Sequence, residues 1–161
     1  MTCALLRAGR ISALLAILAV GAFTSVAFAA VITGTAQSDK LTGTSGADTM
    51  RGLAGVDKIS GGGGNDVIDG GADTDQLLGE GGNDTLRGGT GPATDDISGG
   101  DGADTLTGGG GFDHLDGGSG NDTINAFGDG ADYVECGDGN DVANVDAADA
   151  VDDDCETVNV A

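Results

Sequence analysis

Six aspartates each follow a glycine by two residues: Gly46 and Asp48, Gly64 and Asp66, Gly82 and Asp84, Gly102 and Asp104, Gly120 and Asp122, Gly139 and Asp141. A single Gly-x-Asp is ordinary turn chemistry, in which the carboxylate hydrogen-bonds its own loop. Six in one register are different. Stacked carboxylates, joined by carbonyls from glycine-rich loops, offer many hard oxygens in a pliable ring. That set suits the six to eight ligands of Ca2+ better than the strict octahedron of magnesium. Zinc lacks ligands here, because His114 is the single histidine and the cysteines lack paired spacing.

The elements that must position these aspartates emerge when the chain is cut at the recurring glycine. It falls into nine-residue lines, among them GTSGADTMR (43), GGGGNDVID (61), GEGGNDTLR (79) and GGSGNDTIN (117). Twelve such lines cover residues 34 to 144, each with aspartate at the sixth place and an aliphatic or alanine at the eighth. A fixed short period is the signature of a solenoid, in which no unit folds alone. Glycines at places one, two and four are expected to permit positive φ and a tight loop, and the last three places to form a short strand with one side chain turned in. Leu41, Met50, Ile59, Ile68, Leu77, Leu86, Ile97, Leu106, Leu115, Ile124, Val134 and Ala143 are those inward residues.

The lines resemble the G-G-x-G-x-D-x-U-x pattern of the RTX, or hemolysin-type calcium-binding, repeat. The resemblance implies an all-β fold, a right-handed parallel β-roll of two repeats per coil, with several calcium ions between the loops of successive coils. About six coils are expected, over residues 30-144. If two repeats make one coil, alternate loops stack on the same side. The first row then holds Asp48, Asp66, Asp84, Asp104, Asp122 and Asp141 with their glycines, without a break. The second row is irregular: Gln37 and Asp73 stand at fourth places, and the insertions Pro92-Ala93 and Ala126 both fall there. The first row is therefore expected to carry the principal metal sites. Asp57, Asp113 and Asp132 keep the local Gly-x-Asp and remain open between ligand and turn former; Asp39, Asp75 and Asp95 are weaker candidates.

Residues 1-29 read as a signal peptide: Arg7 and Arg10 precede an apolar run that closes on Ala27-Phe28-Ala29. A retained anchor is the alternative. Without that segment four bases face 27 acids, a formal charge of −23. Such a field excludes nucleic acid and anionic membrane as partners and opposes compaction, so folding is expected to require calcium, at affinities of about 10⁻⁴ to 10⁻³ M. The protein is expected to be secreted, with Cys136 and Cys155 forming a disulfide. Residues 145-161 lose the glycines but keep an acid-x-aliphatic beat at Asp149 and Glu156, and read as a degenerate final coil serving as a cap.

These readings favour a structural or interaction role over catalysis. Ser119, His114 and neighbouring aspartates could be drawn as a hydrolytic set, but no scaffold for a nucleophile elbow accompanies them. A second possibility is a surface-binding face, for ice or adhesion. It would use the seventh-place row of Thr49, Val67, Thr85, Thr105, Thr123 and Val142, with Asn65, Asn83, Asn121 and Asn140 at the fifth.

Overall fold

A computed structural model of the chain describes residues 28–128 and 130–161, so the leader expected over 1-29 lies outside the described residues except for Phe28 and Ala29. Every regular element among them is a β-strand. One sheet stacks Val31–Thr33, Thr49–Ala54, Val67–Ala72, Thr85–Gly89, Thr105–Gly109, Thr123–Asn125, Val142–Val145 and Thr157–Val160. The other stacks Lys40–Thr42, Lys58–Gly63, Gln76–Gly81, Asp96–Asp101, His114–Gly120, Tyr133–Glu135 and Ala150–Val151, with Asp138–Gly139 laid beside Ser119–Gly120. All pairings are parallel, and the chain alternates between sheets, which is a β-solenoid of about seven turns. One rung more than six arises because Val31–Thr33 and Thr157–Val160 also pair.

The period dictates the register. Ile68 lies against Met50 on one side and Leu86 on the other, eighth place on eighth place throughout. Met50, Ile59, Ile68, Leu77, Leu86, Ile97, Leu106, Leu115, Ile124, Val134 and Ala143 are fully buried. They form one continuous aliphatic column per sheet, and the two columns face each other across the roll. Ile32 and Leu41 at one end and Val151 and Cys155 at the other are only partly buried, because no further rung covers them.

From Thr49–Ala54 to His114–Gly120 the strands are longer than the three residues expected. Thr49–Ala54 and Gln76–Gly81 run six residues, from the seventh place of one repeat to the third place of the next. Strand alternation then turns two places inward, the eighth and the first. From Gly52 to Gly117 the first-place glycines are thus strand residues, and no first-place glycine has a positive φ; that conformation belongs to places two and four, as at Gly62 (φ 100°) and Gly64 (φ 105°). What the first place needs is room. A Cβ on Gly70 would lie 2.5 Å from Asp75 Oδ2 and 2.7 Å from the Gly88 carbonyl oxygen.

Near the C-terminus the first place carries real side chains. Cys136, Ala126 and Val145 are all in the core. Ala126, the inserted residue by sequence, is fully buried, and Phe127 turns out to solvent in its stead. Cys136 is bonded to Cys155, 19 residues on, with Cα atoms 5.1 Å apart. That bridge ties the last coil to the roll, and closing such a loop stabilises by about 3 kcal/mol in the chain-entropy model.

Candidate metal centre

Both strand series deliver their aspartates to the same kind of position. The sixth place immediately precedes the strand, so its side chain folds under the loop, and Asp48, Asp57, Asp66, Asp75, Asp84, Asp95, Asp104, Asp113, Asp122, Asp132 and Asp141 are all buried. One oxygen of each is fixed by the preceding rung. The Asp48 amide donates to Asp66 Oδ1 at 2.7 Å, Asp66 to Asp84 at 2.7 Å, Asp84 to Asp104 at 2.7 Å and Asp104 to Asp122 at 2.7 Å. In the second row Asp57 donates to Asp75 at 2.8 Å, Asp75 to Asp95 at 2.8 Å, Asp95 to Asp113 at 2.9 Å and Asp113 to Asp132 at 2.8 Å. The ladders end on the two acids of the final coil: Asp132 donates to Asp149 Oδ1 at 3.0 Å, and Asp141 to Glu156 Oε2 at 2.9 Å.

The other oxygen has no protein partner. Oδ2 of Asp57, Asp66, Asp75, Asp84, Asp104, Asp113, Asp122 and Asp141 is buried without a hydrogen bond. Except for Asp141, whose repeat begins with Cys136, each lies where a Cβ on the first-place glycine of its own repeat would sit. On all of these except Asp113 and Asp141, the first-place carbonyl of the next rung converges on the same point. An orphaned buried oxygen of a charged group costs stability unless something compensates it. Among the described residues the only salt bridges are those of His114, so no Lys or Arg does so.

The cost shows in the acidity of the carboxyls. Loss of water pushes Asp66, Asp75, Asp104 and Asp113 up to about 6, and raises Asp57, Asp84, Asp95, Asp122 and Asp132. The amide from the preceding rung pulls the other way, and neighbouring carboxylates add to the rise for most of them. Buried carboxylate oxygens in rows, with backbone carbonyls beside them and no cationic side chain, fit a hard divalent cation.

This is the geometry of a repeat family, and the sequence confirms the membership. A family model, RTX calcium-binding nonapeptide repeat (4 copies), matches residues 29–59, 42–77, 52–86, 60–95 and 90–124. The chain belongs to the RTX calcium-binding nonapeptide repeat family. No curated protein matches it. RTX nonapeptide repeats bind calcium, and the ladder of buried aspartates fits that ion.

Other residues singled out by sequence lie apart from this RTX ladder. His114 sits on the outer face of its sheet, with Nδ1 3.1 Å from Asp96 Oδ1 and Nε2 3.3 Å from Glu135 Oε2, stacked on Tyr133. Ser119 is exposed and is not among the hydrogen-bond partners of His114. The fifth-place asparagines brace the loops: the Asn83 amide donates to Asn65 Oδ1, Ala103 to Asn83 Oδ1 and Asn140 to Asn121 Oδ1, each at 3.0 Å. Cys136 and Cys155 are covalently paired, and Asp154 beside them accepts the Cys136 and Gly137 amides.

The one-sided damage read from the second row is absent from its ladder. The Pro92-Ala93 insertion bulges in the loop ahead of Asp95, and the amides on either side still find their carboxylates at 2.8 and 2.9 Å. Asp75 and Asp95, the weaker candidates by motif, take their places in the hydrogen-bond ladder because each keeps the beat of an aspartate two residues before an aliphatic.

Proposed function

We propose that this RTX protein is an exported calcium-binding module that folds on calcium and serves a structural or interaction role. The observation that carries the reading is the register of unpartnered Oδ2 atoms in both rows. The residues proposed to hold calcium are Asp66, Asp84, Asp104, Asp122 and Asp141 with Asp48 in the first row. Asp57, Asp75, Asp113 and Asp132 hold it in the second, assisted by carbonyls of the glycine loops around Gly46, Gly64, Gly82, Gly102, Gly120 and Gly139. Without the ion these carboxylates repel one another in a poorly hydrated setting, and one aliphatic per nine residues does not offset the ordering of so many glycines. Binding free energy then counts as folding free energy.

Circular dichroism during a calcium titration tests the reading. The expected result is little β signal in chelator and a cooperative gain as calcium rises. A roll equally formed in chelator at neutral pH would sink it. No catalytic role is proposed for His114 or Ser119.

A surface-recognition role is supported by one further observation. The outward seventh places of the first sheet run Val31, Thr49, Val67, Thr85, Thr105, Thr123, Val142 and Thr157, a regular β-branched row without a charge. The fifth-place asparagines do not add to such a face, because several of their oxygens are committed to the loops. Thermal hysteresis measured in calcium distinguishes an ice-binding use from none.

A further inference from the structure

The two ends of the roll are open, and they are unlike. At the finish the last strand, Thr157–Val160, pairs only with Val142–Val145, and all four of its residues are exposed. Val158 and Val160 hold the inward eighth and first places, yet they stay 43% and 64% exposed because no rung lies beyond them. At the start Ile32 and Leu41 are only partly buried for the same reason. Edge strands are usually blunted by a charge, a proline or a bulge. Thr157–Val160 and Val31–Thr33 carry neither charge nor proline, in a chain whose residues are 20% charged.

The hydrogen-bonding groups left over at the two ends match. Along the roll first-place amides reach forward, as from Gly34 to the Arg51 carbonyl and from Ala126 to that of Asn144. Seventh- and ninth-place amides reach back, as from Val142 to Asp122 and from Asp152 to Val134. Thr157 bonds back to Asp141 and Ala161 to Val145, so strand alternation turns the amides of Val158 and Val160 toward the open edge. By the same alternation the amides of Lys40 and Thr42 face out of the start. The carboxylate ladder has a corresponding pair of loose ends. Among the described residues the Glu156 amide has no acceptor, and Asp39 Oδ1 has no donor, only its Oδ2 being engaged, by Thr35.

Charge also runs along the axis. Lys40, Arg51 and Lys58 stand exposed near the start, where Asp48 and Asp57 are buried beneath their loops. No Lys or Arg follows Arg87, and the final coil presents Asp152, Asp153, Asp154 and Glu156, all exposed. We propose that the start of one copy of this chain seats on the finish of another, so that rolls join head to tail. Because both rows repeat the same ladder, the coil continues through a half turn. Lys40–Thr42 then lies on Thr157–Val160 with Leu41 over Val158, and Val31–Thr33 lies on Ala150–Val151 with Ile32 over Val151. The Glu156 amide meets Asp39 Oδ1, and the basic start meets the acidic finish. Unlike surfaces joined in this way do not close, so the assembly grows as a filament. The inference goes beyond the calcium reading and rests on it only for the ion that holds each roll together.

Sedimentation velocity of the exported protein in saturating calcium, with circular dichroism on the same samples, is the test. The unaltered chain is expected to gain mass as its concentration rises. Thr42→Pro removes an amide at the start and Val160→Pro one at the finish. An edge strand tolerates proline where its N–H faces solvent, so both should keep their β signal while association weakens roughly tenfold or more. Lys40→Glu and Val160→Lys leave the backbone intact and replace either proline variant that loses its β signal. Mixed in equal amounts, the start variant and the finish variant should form dimers that grow no further, since each keeps the end the other lacks. A roll that is folded in calcium yet monomeric up to its solubility limit overturns the inference while the calcium reading stands. Undiminished assembly of both variants overturns it too, by placing the contact on another face, and so does a dimer formed by one variant alone, which means that like ends meet. A roll that folds and assembles equally in chelator overturns the calcium reading and upholds the head-to-tail contact. A chain without β signal in calcium overturns both.

Discussion

The two loop rows of this roll differ in every respect that the eye takes from sequence and in almost none that the buried carboxylates feel. The first row has its fourth-place glycines intact. The second has an acid in one loop, two extra residues in another, and Phe112 and Phe127 turned to solvent. Yet both rows run an unbroken ladder from amide to carboxylate, with spacings of 2.7–2.9 Å in one and 2.7–3.0 Å in the other. The lesson is that the loop crest and the aspartate beneath it are mechanically separate. A crest can bulge outward because it lies at the surface, whereas the aspartate is held by the strand after it.

The comparison breaks most severely at the first place. Gly70→Ala in the second row and Gly79→Ala in the first would each drive a methyl into a carbonyl and an Asp Oδ2. Each is expected to cost on the order of 4 kcal/mol, read as a fall in thermal unfolding midpoint in saturating calcium. Equal losses support equivalent rows; a harmless Gly70→Ala would mark the second row as pliable. Next comes Asp84→Ala against Asp75→Ala. Each removes a ladder acceptor and a proposed ligand, with an expected loss of about 2–3 kcal/mol in calcium. A loss under about 1 kcal/mol for Asp75→Ala alone would make the second row a spectator.

Acidity gives a third comparison, with a definite sign. Asp66 and Asp104 in the first row and Asp75 and Asp113 in the second titrate near 6 when folded, above the ordinary 3.8. The folded, metal-free chain therefore binds more protons than the unfolded one between those values, and its stability rises as pH falls from about 6 to about 4. In chelator, circular dichroism should show β structure growing over that window. In calcium the same protons compete for the ligands, so apparent affinity should fall as pH drops below about 6. The smallest effect is expected from Leu53→Gly, which removes a non-glycine residue at φ 88°. A gain of about 1 kcal/mol or less in denaturant unfolding is the expected outcome.

Much of this was legible from the beat of the chain. Asp66 and Ile68 could be placed, one under a loop and one in the core, because a nine-residue period leaves few other uses for a carboxylate two residues before an aliphatic. The pairing of Cys136 with Cys155 was legible for the same reason, since 19 residues is about one coil. What escaped were properties that arise only between rungs. The bareness of Gly70 answers to the carbonyl of Gly88, one coil away, and not to its own dihedral angles. Asp73 looked like damage because sequence shows which residue replaces a glycine but not that the backbone keeps its shape. Ala126 looked like the extra residue because nothing local says that Phe127 rather than alanine will be left outside.

The ladder also gives the molecule a direction. Each sixth-place amide is answered by a carboxylate one coil further along, so in the carboxylate ladder a rung is completed by its successor, whereas the next amide, as at Val67 and Thr85, bonds back to the aspartate carbonyl of its predecessor. The two ends are consequently unequal. Trimming a coil from the start leaves a carboxylate short of one donor, which water can replace. Trimming one from the finish takes away Asp149 and Glu156 and strands the amides of Asp132 and Asp141. The short glycine-free tail is in this sense the closing bracket of the whole series, and each aspartate before it depends on a residue still to come.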